Sequence, residues 1–481
     1  MKILLLFAGF ATAFAQNQSN WYPSYHLAPP GGWMNDPNGL IYFGDYYHAF
    51  FQHTPNSTAS DGLKHWGHAR SRDLVNWEHL SVALTPSIPQ DSDGCFSGSA
   101  VDNNGTLTLI YTGHSLTNDS YHEVQLLATS DNTVDFDKQG TILESEDYFK
   151  DFRDPKVWKE NDDWFVILGT NNNSYGQVVL YKSPDLQQWE FQGVLAGPRE
   201  KLGYMWECPD FFSLDGKQVL TFSPQGLEAN GYDYLNLYQT GYLVGNWTPG
   251  AEFDIETSFI ELDRGHDFYA TQSFLTPDGR RVLLAWMDMW ESPFPESANG
   301  WVGSMTLPRE ISLNENNEII QNPIREVESL RAHISVSLSQ FNVTNDSARN
   351  IDFDIATKEV NIVWNLTGSD ARQFGFHLGE ESSDEGTLLY VDKDINRLVL
   401  QRNYPAYNLT ASNRTVDLSP FPKESLSTRI FFDHSSIEVF VNEGGATMSS
   451  RIYPDDNQRT LHLFASQGSA SISSYRSWDL S

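Results

Sequence analysis

Only two cysteines, Cys95 and Cys208, occur among 481 residues. A small exported scaffold held by disulfides would need more. The chain therefore rests on its own core, and free thiols are expected rather than a bridge. Basic residues are also scarce. Lys and Arg number 31 against 63 Asp and Glu, giving a formal net charge of -32 and a pI near 4.6. Without a basic face the chain is excluded as a general nucleic-acid binder, and docking on anionic lipid is disfavoured. After the first fifteen residues no apolar run is long enough to cross a bilayer. What is abundant is aromatic: Phe, Trp and Tyr make up 13%. Such a chain buries a large core rather than remaining disordered. Its length suggests two or three domains, or one large β domain with a smaller one.

Residues 1–15, MKILLLFAGFATAFA, carry Lys2, an apolar run, and Ala13-Phe14-Ala15 in the small-x-small pattern of a signal peptidase site. They are read as a signal peptide, with a mature start near Gln16 and no membrane attachment after cleavage. Sequons start at Asn17, Asn56, Asn104, Asn118, Asn172, Asn246, Asn342, Asn345, Asn365, Asn408 and Asn413. Together these features predict a secreted eukaryotic-type glycoprotein.

Short strands dominate. Runs such as Tyr47–Phe51, Leu107–Tyr111, Trp164–Leu168 and Val282–Trp286 have strand length, and turn signals such as Asn103-Asn104-Gly105, Asp215-Gly216 and Asp278-Gly279 precede several of them. Ser71-Arg72-Asp73-Leu74 with Trp77 recurs as Ser183-Pro184-Asp185-Leu186 with Trp189, and a weaker copy, Ser130-Asp131 with Phe136, lies between. A period in the fifties fits one four-stranded propeller blade. A second series repeats at similar spacing: Asp36-Pro37, Phe96-Ser97, Asp154-Pro155, Glu207-Cys208-Pro209 and His266-Asp267-Phe268. The sequence thus predicts an all-β protein. A five-bladed propeller would span 20–315, with each point of the series opening an inner strand. A charged, amphipathic linker or short helix would follow over 316–335, then an antiparallel β-sandwich over 336–481.

A channel lined by aromatics and a few acids suits a sugar, since rings stack on sugar faces and carboxylates break glycosidic bonds. Three acids fall on the series. Asp36 lies in a turn-forming Asn-Asp-Pro-Asn-Gly. The neighbouring Arg153 is expected to hold Asp154 ionised. Apolar neighbours would raise the pKa of Glu207, as a general acid requires. Cys208 either tunes Glu207 through its weak S–H donor or fills a small buried space. His65 and His68 lack a third ligand, so no metal is expected, and nothing calls for a cofactor.

WMNDPNGL at 33–40, FSGS at 96–99, RDPKV at 153–157 and ECPD at 207–210 resemble the signatures of glycoside hydrolase family 32, in the family's order. The likeness runs from about residue 21 onward. FSPQGLEANG at 222–231, DFYATQSF at 267–274 and WMDMWESP at 286–293 look most like the bacterial sucrose and sucrose-6-phosphate hydrolase branch. The resemblance implies a β-fructofuranosidase with a sugar, sucrose, as its partner. It implies Asp36 as nucleophile, Glu207 as acid/base and Asp154 as the residue that holds the fructosyl hydroxyls. The mechanism would be retaining, with the Asp36 and Glu207 carboxyls about 5 Å apart. It further implies Asn35, Gln52, Phe96, Ser97 and Arg153 as pocket residues, with Trp66 and Trp286 as aromatic walls. Ser60–His65 departs from relatives that carry a pocket Trp there. Fructosyl transfer, fructan hydrolysis and an inactive sugar-binding propeller are the alternatives. Nothing in the sequence sets an oligomeric state.

Overall fold

The computed structural model describes residues 21–481 except 119, 146–148, 198–201, 345–348 and 381–383. The signal segment and the sequons at Asn17 and Asn345 lie outside the described residues. The fold is all-β, a five-bladed propeller followed by a β-sandwich. Each blade is an antiparallel meander whose innermost strand comes first in the chain. The inner strands are Gly32–Phe43, Gly94–Asn103, Lys150–Glu160, Met205–Leu214 and Tyr269–Leu275. The apolar runs noticed in the sequence are the second strands, Tyr46–Thr54, Thr106–Leu116, Asp163–Asn172 and Arg281–Trp286. They lie next to the inner strand and are covered on both faces, which is why they read as continuous apolar stretches. Trp301–Val302 runs parallel to Gly32–Trp33 and pairs with the first blade, so a late segment closes the ring.

The Ser-x-Asp-Leu repeat turns the chain from third to fourth strand. Ser71 Oγ accepts from the backbone of Asp73 and Leu74, and Asp73 Oδ1 accepts from Val75 and Asn76. Ser183 and Asp185 repeat this pattern. The residue after each acid is left-handed, with φ of 66° at Leu74 and 67° at Leu186. In the middle copy Asn132 fills the acid's place, accepting from Val134 and Asp135, and Thr133 is the left-handed residue. The equivalent position is therefore Asn132 rather than Asp131.

The propeller runs past 315. Ile319–Pro323 pairs with Arg309–Leu313 as the fourth strand of the fifth blade. The sandwich starts early, with Arg331–Thr344 paired to Ser469–Leu480. Between them lies one 3-10 turn, Arg325–Leu330. Its Val327 and Leu330, with Ile324, pack beside Phe431 and Phe440 of the sandwich. The stretch that looked like a charged linker is apolar on one face because it seals the joint between domains.

Two six-stranded sheets form the sandwich, with Val360, Phe374, Leu400, Leu426 and Leu461 in its core. Charged side chains bury themselves against the propeller. Arg309 Nη2 donates to Glu438 Oε2 (2.6 Å), and its Nη1 to Asp263 Oδ2 (3.0 Å). His26 spans Asp433 (2.8 Å) and Glu438 (2.9 Å). Arg451 pairs with Asp288 and Glu296, and Arg402 with Asp267.

Candidate active site

Every inner strand carries a bulge at the same level. The register slips between Met34 and Pro37, Phe96 and Gly98, Arg153 and Lys156, Glu207 and Asp210, and Tyr269 and Gln272. A bulge breaks side-chain alternation and re-aims a residue. Asp154, Cys208 and Ala270 adopt left-handed backbone, with φ of 63°, 48° and 55°. Such conformations cost non-glycine residues energy and persist only where surroundings enforce them. Their alignment around one channel is the structural mark of the site.

Four of the five bulges match the series in the sequence. The fifth falls at Ala270, not at His266-Asp267-Phe268. His266 instead bonds Ser450 Oγ through Nδ1 at 2.6 Å, and Asp267 accepts the Arg451 backbone N–H at 2.8 Å. Both serve the domain interface. Neither proline nor acid marks the true position, so spacing alone misplaced it.

The three acids converge. Asp36 Oδ1 accepts from Asn35 Nδ2 at 3.0 Å, and Oδ2 from Ser97 Oγ at 2.8 Å. Asn35 is itself oriented by Trp33 Nε1, which donates to its Oδ1 at 2.7 Å. Cys208 joins the first two acids rather than tuning Glu207. Its backbone N–H donates to Asp154 Oδ2 (2.9 Å), and its Sγ lies 3.5 Å from Asp36 Oδ2 and 3.7 Å from Asp154 Oδ2. Burial and three surrounding carboxylates push the Cys208 thiol well up, so it stays an S–H donor. Cys208 and Cys95 are both free.

Glu207 is partly exposed at the channel. Tyr269 Oη donates to its Oε2 at 2.6 Å, and Arg153 Nη2 to its Oε1 at 2.9 Å. Its immediate partners are thus a phenol and a cation, not the apolar shell that its sequence neighbours suggested. Arg153 also reaches Asp151 at 2.9 Å and Glu123 at 3.5 Å. The expectation that Arg153 dominates Asp154 fails. Burial is the larger effect and raises Asp154 to about 7, against the lowering by Arg153 and with help from Glu207.

The predicted binding residues divide. Asn35, Ser97 and Arg153 hold the carboxylates. Gln52 is buried, donates to the Cys95 carbonyl at 3.1 Å, and leaves its Oε1 unpartnered. Phe96 is half-buried and stacks on His114 at 4.3 Å, with Tyr121 continuing the stack. Trp66 and Trp286 are both 0% exposed, so neither forms an open wall. Trp66 packs beneath Gly39 and donates from Nε1 to the Phe96 carbonyl at 2.9 Å. Trp286 packs on Trp33 and Trp290. They support wall residues instead of being them. His68 bonds His48 at 2.9 Å, and no metal-ligating cluster occurs among the described residues. Sequence reasoning missed Tyr269, Glu123, His114 and Lys64. Lys64 lies over the Trp33 ring at 5.3 Å, and burial lowers its pKa to about 8.

Comparison with known proteins gives this geometry a family. Residues 26–323 match the glycosyl hydrolases family 32 N-terminal domain, and 326–479 the family 32 C-terminal domain. A sucrose-6-phosphate hydrolase of Escherichia coli is 48% identical, over 96% of this chain and 95% of its own length. A raffinose invertase of Escherichia coli is 47% identical, over 97% and 96%. A GH32 β-fructofuranosidase of Bombyx mori superimposes with a TM-score of 0.84 at 37% identity, covering 96% of this chain and 94% of that one. A mutant of the Bombyx mori enzyme is also known in complex with sucrose. The chain belongs to glycosyl hydrolases family 32 and is a glycoside hydrolase.

Proposed function

We propose that this protein is a secreted β-fructofuranosidase that hydrolyses sucrose to glucose and fructose with retention. The observation that carries the reading is the gathering of Asp36, Asp154 and Glu207 around one channel, on the bulged inner strands of the first, third and fourth blades, each carboxylate with its own donors. Asp36, held by Asn35, Ser97 and Cys208, attacks the anomeric carbon of the fructosyl unit. Glu207 protonates the departing glycosidic oxygen, and glucose leaves. Glu207 then takes a proton from water, water attacks the same carbon, and Asp36 is released. Asp154 holds the fructosyl hydroxyls.

Glu207 must carry a proton in one half-reaction and lack it in the other. Arg153 only donates, so it stays with one oxygen throughout. A phenol both donates and accepts, so the Tyr269 hydroxyl can turn when Glu207 is protonated. Burial and Glu207 keep the Tyr269 hydroxyl itself protonated.

The raffinose invertase and the Bombyx mori enzyme favour unphosphorylated sugar. The Escherichia coli sucrose-6-phosphate hydrolase favours a second reading, a 6-phosphate substrate. Signal-like residues 1–15 support export, where free sugar is met. All nine described sequon asparagines are exposed or half-buried, as glycan attachment needs. Incubation with sucrose, raffinose, inulin and sucrose-6-phosphate, with products separated by chromatography, tests the substrate. Glucose and fructose from sucrose are expected. Glucose-6-phosphate without glucose from a mixture of both sucroses would assign the phosphorylated substrate, and kestose as the main product would assign transfer.

A further inference from the structure

A second polar layer lies along the same inner strands, beyond the carboxylates and towards the other mouth of the channel. Lys156 follows Asp154, Asp210 follows Glu207, and Ser273 follows Tyr269. Lys156 Nζ donates to Asp210 Oδ2 at 3.2 Å and to the Ser273 carbonyl at 2.7 Å, while Ser273 N donates to Asp210 at 2.6 Å. Beyond this plug opens a cavity of about 360 Å³, bordered by Lys156, Ser273, Phe212, Arg281 and the opposite charges of Lys159 and Glu160, which offset each other.

Arg281 is the unexplained group. Its guanidinium lies 4.8 Å from the Phe212 ring centroid. Its Nε is sealed from solvent without a hydrogen-bond partner, and so is Ser273 Oγ. Among the described residues no carboxylate pairs with Arg281. Burial lowers the pKa of both Arg281 and Lys156, and the same Asp210 is the carboxylate that offsets it for each. Two buried cations therefore stand against one buried carboxylate, whose Oδ2 is held by Lys156 and the Ser273 N–H and whose Oδ1 is unpartnered. A concave site with low-dielectric walls focuses this excess charge, although the whole chain is at -32. Guanidinium groups present donors in a fork that fits oxyanions.

We infer that the far mouth of the channel binds a small tetrahedral oxyanion, with Arg281 and Ser273 Oγ as donors and Lys156 as the second positive charge. This site is separate from the carboxylates and independent of which sugar they cleave.

The test is calorimetric titration of the full chain with inorganic phosphate at constant ionic strength, with chloride as the control. The expected result is one saturable site per chain. Binding should weaken at least about tenfold in Arg281→Gln, with the rate of sucrose hydrolysis unchanged. Ser273→Ala removes only a hydroxyl and should weaken binding several-fold, which decides the matter if Arg281→Gln does not fold. A parallel titration with glucose-6-phosphate separates a free ion from an esterified phosphoryl group. No saturable binding to the wild-type chain, or equal binding by it and the two variants, would overturn the inference.

Discussion

At the residue scale the site depends on which groups donate to which oxygens. Tyr269→Phe removes the one partner of Glu207 able both to give and to accept. A positioned general acid or base contributes about 10²–10⁴-fold, and Tyr269 assists one rather than being one. Tyr269→Phe should therefore lower kcat by roughly tenfold to a hundredfold with little change in KM, read by steady-state kinetics on sucrose. Arg153 has a different signature. Burial already raises Asp154 to about 7, and Arg153 opposes that rise. Arg153→Gln should move the acid limb of kcat/KM to higher pH, besides lowering the rate. A rate loss with an unmoved limb would show that Arg153 acts on Glu207 alone. Glu207→Gln should leave sugar binding intact while largely abolishing turnover; hydrolysis at the parent rate would sink the acid/base assignment.

At the scale of strands and turns, bulges set the site and glycines let the blades close. A Cβ at Gly169 would lie 1.9 Å from the Trp206 carbonyl, next to Glu207 in sequence. Gly169→Ala must push the fourth blade away from the third. A loss of about 1–3 kcal/mol is expected, seen as a lower urea midpoint, together with a fall in kcat disproportionate to the folded fraction. The same element explains what the sequence made legible. Asp36, Asp154 and Cys208 each precede a proline, so acid, bulge and punctuation coincide in a few residues. The fifth bulge at Ala270 has no such local mark, and spacing drew the eye to Asp267, whose partner Arg402 is distant in sequence. The burial of Trp66 and Trp286 was not legible either. Their large rings suit a sugar face as well as a core, and only the packing of neighbouring blades, distant in sequence, buries them.

At the scale of the whole molecule, buried charge joins propeller to sandwich. Burial would lower the pKa of His26, but bonds to Asp433 and Glu438 win and raise it to about 9. A histidine whose folded pKa exceeds the unfolded 6.5 contributes its full stability below pH 6.5 and loses it as pH climbs through 9. The contribution is about 3 kcal/mol from the size of that shift. Wild-type Tm should fall over this window. His26→Gln should start lower and lack that alkaline fall, because its amide does not titrate. A parallel pH dependence in both proteins would place the alkaline loss elsewhere. The interface was illegible in advance because its partners are hundreds of residues apart, whereas strand patterning alone sufficed for the two-domain plan.

The pairing of Trp301–Val302 with Gly32–Trp33 also orders events in time. On the ribosome the first blade emerges long before the strand that completes it. At about 5–20 residues per second that wait is on the order of tens of seconds. Throughout it, Gly32 and Trp33 lack the strand that pairs with them, three residues short of Asp36. The candidate catalytic pocket is therefore finished only after most of the propeller has been made.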